Sequence, residues 1–294
     1  MRNVMFLSDK WKDYELIDAS RGEKLERWGK IILRRPDPQI VWEGEENPMK
    51  WRADAHYLRS SSGGGSWRSR GGLPESWTVS YGKLRFGIKM MGFKHTGLFP
   101  EQAANWDWFS DIIRNSGREN VSVLNLFAYT GGATMAASAA GASVCHVDAS
   151  RGMVGWAKEN AQLSGLDKNP IRYIVDDVKK FTEREIRRGR KYDAVIMDPP
   201  SYGRGPSGEV WKIEDELFGL VELCMNVLSD NPLFFLINSY TTGLSGGVLE
   251  NIYKLTIKKR FGGESEVDEI GLPITNGGLV LPCGYSGRWR SQVG

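Results

Sequence analysis

The segment Asp198-Pro199-Pro200-Ser201-Tyr202 joins a carboxylate, two rigid imino acids and an aromatic ring, and it directly follows the apolar run 192–197. Two consecutive prolines fix φ and remove two backbone donors, so the chain must leave a sheet there in a stiff turn. Such a turn presents the Asp198 carboxylate, nearby carbonyls and the Tyr202 ring at the carboxyl end of a buried strand. In an open α/β sheet that end is where ligands bind. Carboxylate and carbonyl oxygens accept hydrogen bonds from an amine, and the ring stacks on a flat base. The candidate catalytic residues are Asp198, Pro199, Pro200 and Tyr202. The plain alternative is a proline-rich loop with Asp198 as a cap.

Three upstream segments also place polar groups at strand ends. Leu124-Asn125-Leu126-Phe127-Ala128-Tyr129-Thr130-Gly131-Gly132 follows a β-type run and opens a helix. Glycine there permits positive φ and close approach of the backbone to a ligand. The G-x-G-x-x-G spacing of a pyrophosphate site is missing, and a looser loop suffices to touch an amino-acid tail and a ribose. The next run ends Cys145-His146-Val147-Asp148-Ala149-Ser150. An acid at that tip is placed to accept from ribose hydroxyls, although Asp148 or Ser150 could equally cap the helix that follows. The third run ends Val175-Asp176-Asp177-Val178. One acid there suits an adenine amine and the other a helix cap; we assign Asp177 to adenine. In order, the four tips fit a sulfonium cofactor whose methyl group reaches Asp198.

The elements that must hold these tips read as strands and helices in alternation. Strands are expected at Val121–Phe127, Ser143–Val147, Ile171–Val175, Tyr192–Met197, Leu233–Asn238, Ser265–Ile270 and Leu279–Cys283. Helices are expected over residues 101–113, 133–140, 150–164, 178–188, 214–228 and 247–259. This spacing predicts right-handed crossovers and an α/β fold with a doubly wound, mostly parallel Rossmann-like sheet. The last two strands lack an intervening helix and form a terminal antiparallel hairpin. Residues 1–95 read as a β-rich N-terminal extension that can bind substrate, and 96–294 as the catalytic domain. Within the extension, β-type runs occupy 28–33, 39–42, 77–81 and 84–90, and 60–72 reads as a Gly/Ser loop.

Composition narrows the class. The chain of 294 residues has 39 basic and 36 acidic side chains, net +3, which alone argues little for a polyanionic partner. The distribution says more. Arg59, Arg68, Arg70, Lys83, Arg85, Lys89 and Lys94 are accompanied by one acid, Glu75, and interleaved with Trp67, Trp77, Tyr81 and Phe86. Such a mixture fits phosphate contact with base stacking, or else an ordinary solvated loop with hairpin aromatics. Cys145, Cys224 and Cys283 have neither metal nor disulfide spacing. No apolar run approaches a membrane span and the N-terminus lacks a signal pattern, so a cytoplasmic protein without metal is expected.

Residues from about 85 to 294 resemble the class I S-adenosylmethionine-dependent methyltransferases of the rRNA large-subunit type, with cytosine-C5 and guanine-N7 relatives. The resemblance rests on Phe93-Lys94-His95-Thr96-Gly97-Leu98-Phe99-Pro100-Glu101-Gln102, on the 125–132 loop, on Glu159-Asn160-Ala161, on Asp176-Asp177-Val178 and on the Asp-Pro-Pro turn. It implies that Phe99, Gln102, Tyr129, Gly131, Asp148 and Asp177 line the cofactor site; the full candidate set adds Asn125, Phe127, Ala128, Thr130, Gly132, Ala149, Ser150, Asn160, Asp176 and Asp198. C5 methylation requires a cysteine that adds to the pyrimidine. None follows the fourth or fifth strand here, where Ser201 and Ile237-Asn238-Ser239-Tyr240-Thr241-Thr242 stand. The expected reaction is therefore methylation of a base nitrogen in RNA, rRNA foremost. The alternatives are methylation of a protein side chain or small molecule, and a non-catalytic RNA-binding protein on the same scaffold. An NAD-dependent dehydrogenase fails on glycine spacing and on the terminal hairpin.

Overall fold

The structure is a computed structural model that describes residues 5–60, 64–204, 208, 210–240 and 243–292. The chain opens with β1 (Met5–Leu7), β2 (Tyr14–Ser20), β3 (Glu23–Trp28), β4 (Ile31–Pro36), β5 (Ala55–Arg59), β6 (Gly65–Ser69), β7 (Trp77–Tyr81) and β8 (Leu84–Ile88). After α1 (Ala103–Asn115), strands and helices alternate as β9 (Ser122–Leu126), α2 (Gly132–Ala139), β10 (Ser143–Asp148), α3 (Arg151–Leu163), β11 (Ile171–Val175), α4 (Val178–Arg187) and β12 (Ala194–Met197). The remainder is β13 (Tyr202–Arg204), β14 (Val210–Lys212), α5 (Ile213–Cys224), β15 (Phe234–Ser239), α6 (Gly246–Leu255), α7 (Ile257–Phe261), β16 (Glu264–Pro273) and β17 (Val280–Arg290). Two compact units result, one built mainly on Ala104–Ile270, the other on Leu7–Ala103 with Gly271–Pro282.

The large sheet runs β1-β16-β17-β15-β12-β9-β10-β11. Its pairs β9–β10, β10–β11, β9–β12 and β12–β15 are parallel, whereas β17 is antiparallel to β15. Strand order reverses at β9, so the tips of β9 and β12 flank the switch point where α/β sheets bind ligands. Alternating side chains face opposite layers. Phe235, Ile237, Val195 and Met197 pack with Phe181 of α4, Leu217 and Leu220 of α5 and Tyr253 of α6. Phe234, one residue out of phase, stacks on Phe109 of α1 at 5.7 Å.

The alternating elements fall near their expected limits, with three exceptions, of which the simplest is α5, which stops at Cys224 and not at 228. The helix expected over 247–259 breaks at Thr256, where φ is −116° and ψ is −90°. The Thr256 hydroxyl donates to the Ile252 carbonyl at 2.6 Å, a local competition that bends helices. The last strand does not stop at Cys283 but continues through Gly284 and Gly287 to Arg290. These glycines are clearances, not breaks. A Cβ on Gly287 would lie 2.6 Å from the Tyr253 ring.

In the Leu7–Ala103 unit the strand order is β2-β3-β4-β5-β6, with β7 and β8 as a separate hairpin. That hairpin turns at Gly82-Lys83. The run 28–33 is not one strand: it splits into β3 and β4 at Gly29, whose φ is 63°. Residues 39–42 form no strand. The carbonyls of Ile40 and Trp42 instead accept from Gly22 and Arg21 in the β2–β3 turn, at 2.6 and 2.8 Å. Part of the expected Gly/Ser loop is β6, paired with β5; residues 61–63 lie outside the described ones.

Candidate active site

At the end of β12 the Asp198 amide donates to Leu126 O of β9 at 3.4 Å. Pro199 is buried, and Pro200 and Tyr202 are exposed. Beyond this turn the chain folds into the β13–β14 hairpin, which sequence patterning does not foresee. Its inward residue is Trp211. The Trp211 indole donates to Pro200 O at 2.6 Å, and its ring leans on Phe127 with centroids 4.8 Å apart. The Ile213 amide donates to Ser201 O at 3.1 Å. The hairpin thus clamps the Asp-Pro-Pro turn and touches the glycine loop.

That loop is strained where no glycine relieves it. Phe127 and Tyr129 have φ of 55° and 51°, beside Gly131 at 86°. Left-handed backbone in a non-glycine residue costs on the order of 1–3 kcal/mol and persists only where its surroundings enforce it. Here the enforcers are visible. Ala128 N donates to Val147 O and Gly131 N to Ala128 O, each at 3.0 Å. Tyr129 N donates to Asp148 Oδ2 at 2.8 Å, and Asn160 Nδ2 to Thr130 O at 2.8 Å. Behind the loop, Asn125 Nδ2 donates to Thr134 Oγ1, which lies 2.9 Å from His146 Nδ1. Burial pushes the His146 imidazole down to about 3, so it is neutral at ordinary pH. Asn125, Thr130 and Asn160 are buried props of the loop. Gly132 sits against Trp106, where a Cβ would come within 2.6 Å.

Asp148 ends β10. Its Oδ1 accepts from Ser150 N at 2.8 Å and its Oδ2 from Tyr129 N, so the carboxylate is fixed in orientation. A carboxylate offers about four lone-pair sites, and two backbone donors leave capacity for a pair of hydroxyls. Burial raises its pKa, and the two amides pull the other way. Ala149 is half-buried, and Ser150 caps α3 through Met153 N at 3.4 Å. Asp176 N donates to Asp148 O at 3.1 Å, tying the β11 tip to the β10 tip. The cap falls to Asp177, whose Oδ1 accepts from Lys180 N at 3.0 Å; Asp176 pairs with Arg184. A cavity of about 300 Å³ opens beside Asp177, Lys179, Val210, Trp211 and Glu216.

Phe99 and Gln102 belong to the other unit, around the short turn Pro100–Gln102. Ser8 Oγ and Trp11 Nε1 both donate to Pro100 O, at 2.7 and 2.9 Å, and Arg35 donates to Lys94 O at 2.9 Å. In this unit the expected stacking aromatics turn inward. Phe86 is fully buried, Trp67 and Trp77 donate to Met91 O and Trp28 O, and Tyr81 packs on Trp11. Arg59, Arg68, Arg70, Lys83 and Arg85 are exposed. The cations, and not the rings, are the accessible part.

Residues 49–226 match the S-adenosylmethionine-dependent methyltransferases. The chain belongs to that family. It is similar to ribosomal RNA large subunit methyltransferase K of Neisseria meningitidis, 30% identical over 227 residues, covering 76% of this chain and 61% of that one. A ribosomal RNA large subunit methyltransferase K/L of Syntrophotalea carbinolica is 30% identical over 168 residues, 56% of this chain and 22% of that protein. The chain thus spans less than two thirds of these curated relatives. A crystal structure of a SAM-dependent methyltransferase from Agrobacterium tumefaciens is 36% identical and superposes with a TM-score of 0.93, covering 99% of this chain and 95% of that chain. The methyltransferase cofactor is S-adenosylmethionine, and the site fits it on its own geometry. The loop residues Phe127, Tyr129 and Gly131 adopt positive φ, and the Asp148 carboxylate is oriented by two backbone amides with acceptor capacity left over. Among the described residues no cluster is arranged to hold a metal, and no helix is long and apolar enough to cross a membrane.

Proposed function

We propose that the chain methylates a base nitrogen in RNA, rRNA being the favoured class. The observation that carries this reading is the Asp198 turn, placed at the β12 tip next to β9 and clamped by Trp211. When bound, S-adenosylmethionine supplies an electrophilic methyl group. Every other requirement falls on the protein. Asp148 holds ribose hydroxyls, and one acid of the Asp176-Asp177 pair takes the adenine amine. Asp198 and the proline carbonyls accept from the target amine while Tyr202 stacks on its ring. An amine acceptor needs its lone pair aimed at the methyl more than it needs a strong base, so proximity and orientation dominate.

The cysteines support nitrogen over C5 chemistry. All three are buried. Burial pushes the Cys145 and Cys224 thiols up to about 11 and about 12, so neither is a ready nucleophile. The relatives named for ribosomal RNA and the exposed cations within residues 1–95 favour RNA, with 96–294 as the catalytic part. Incubation with methyl-labelled cofactor and separated RNA, DNA and protein fractions tests this. Label in RNA, at a nitrogen after nucleoside digestion, is the expected result; label in protein replaces it.

A further inference from the structure

The β13–β14 hairpin carries two faces of different character. Its register pairs Tyr202 with Lys212, Gly203 with Trp211 and Arg204 with Val210. Gly203 and Trp211 point inward, and the Trp211 indole anchors the hairpin to Pro200 O at 2.6 Å. The four others share the outward face, by the period of two along each strand. Tyr202 is 53% and Val210 48% exposed, and Arg204 and Lys212 are exposed as well. Among the described residues neither cation is held in an ion pair. An aromatic ring, an aliphatic side chain and two available cations, in two cross-strand pairs with one pair between them, match the stacking-and-phosphate pattern by which single strands are held.

We propose that this outward face is where the substrate RNA strand runs, with Arg204 and Lys212 on the phosphates that flank the target nucleotide. The proposal rests on the RNA reading above and gives the hairpin a role distinct from the Asp-Pro-Pro turn. The turn positions one base; the hairpin fixes the backbone on either side of it. Short length favours this use, because a face only three residues long per strand spans one or two nucleotides. The acids nearby bound the surface. Glu214 and Asp215 open α5 and suit its helix dipole, whereas Glu216 is occupied by Lys179 at 2.6 Å. A phosphate backbone is therefore accepted on the strands and repelled from the first turn of α5.

The test is salt-dependent binding of a fluorescein-labelled single-stranded oligoribonucleotide to the full chain. Each phosphate of a single strand that the protein ceases to neutralise lowers the slope of log K against log salt by about 0.7. The Arg204→Ala/Lys212→Ala variant should shift that slope by about 1.4, while its S-adenosylmethionine affinity and thermal midpoint match the parent. Lys168→Ala/Arg190→Ala, two exposed cations elsewhere, removes the same charge and should leave the slope near parental. Equal shifts in the two variants would reduce the effect to net charge and overturn the proposal. An unaltered slope in the hairpin variant, with RNA still methylated, overturns it while sparing the RNA reading. A parent chain that shows no salt-dependent RNA affinity and labels only protein removes both.

Discussion

The two ends of the candidate site are built by opposite means. At the cofactor end, tips of β9, β10 and β11 are tied together through backbone and buried side chains: Tyr129 N to Asp148, Asn160 to Thr130 O, Asp176 N to Asp148 O. Two strained non-glycine residues are held there by that network. At the acceptor end, a stiff turn that exposes Tyr202 is held by the Trp211 indole on Pro200 O, by the Ile213 amide on Ser201 O and by the Asp198 amide on Leu126 O. A cofactor of fixed shape rewards preorganisation. A nucleic-acid strand has to arrive and leave, and exposed groups on a short hairpin suit that. Variants should therefore separate the ends: changes at Asp198 and Trp211 alter turnover, and changes at Asp148 and His146 alter cofactor binding or stability.

The largest separation is expected for Asp198→Ala. Loss of the residue that orients the acceptor amine should cost roughly 100-fold in turnover, while S-adenosylmethionine affinity stays within a few-fold. Parallel loss of both in calorimetry and single-turnover assays would mean that Asp198 serves the cofactor end.

Acid should destabilise the chain through its buried histidines, His146 at the cofactor end among them. His146 has a folded pKa of about 3, held down by burial, against an unfolded value near 6.5. The unfolded chain thus binds the extra proton as pH falls below about 6.5, so stability present above that pH is lost on the way toward about 3. The expected slope is about 1.4 kcal/mol per pH unit from this one group. His95, in the other unit and lowered to about 4 by burial and by the Arg35, Lys94 and Lys24 charges, adds a similar contribution. Urea midpoints between pH 6.5 and 4.5 should fall less steeply in His146→Gln than in the parent. Identical slopes would show that His146 is solvated or protonated in the folded chain.

Asp148→Ala comes next. It deletes the proposed ribose acceptor and leaves the Tyr129 amide, in its positive-φ loop, without the carboxylate. Cofactor affinity should fall by about 1–3 kcal/mol, with turnover at saturating cofactor much less affected. Calorimetry that returns the parental affinity removes the ribose assignment.

The same contrast explains what sequence can disclose. The parallel sheet and its strand tips are legible because buried strands need continuous apolar runs, and helices between them need amphipathic spacing. Asp148, Asp176, Asp177 and Asp198 stand out as carboxylates where such runs end. Asn125 and Asn160 read as cofactor ligands, and their amide nitrogens donate to Thr134 Oγ1 and Thr130 O, contacts that spacing does not encode. The strain at Phe127 and Tyr129 is invisible in sequence, since positive φ is expected of Gly131 and not of aromatic residues. The β13–β14 hairpin escapes detection because Gly203, Pro206 and Gly208 read as loop. Trp211 does leave a signal: an isolated tryptophan between polar residues, just before a helix, marks an anchor. In the N-terminal unit, aromatic interleaving imitates a stacking surface. Alternation in a two-stranded hairpin sends one face inward, and there the rings go.

The finest test concerns Trp211 itself. Its side chain bridges Pro200 on the acceptor turn and Phe127 on the glycine loop. Trp211→Phe keeps a ring against Phe127 and deletes the donor to Pro200 O. A neutral hydrogen bond is worth about 1 kcal/mol, so turnover should drop roughly fivefold through loosening of the turn. Cofactor affinity should not change, because the ring still packs on the loop. Trp211→Ala removes both supports and should lower turnover and cofactor affinity together. If Trp211→Phe weakens the cofactor as much as Trp211→Ala does, the indole N–H is supporting the loop, and the two ends are one mechanical unit.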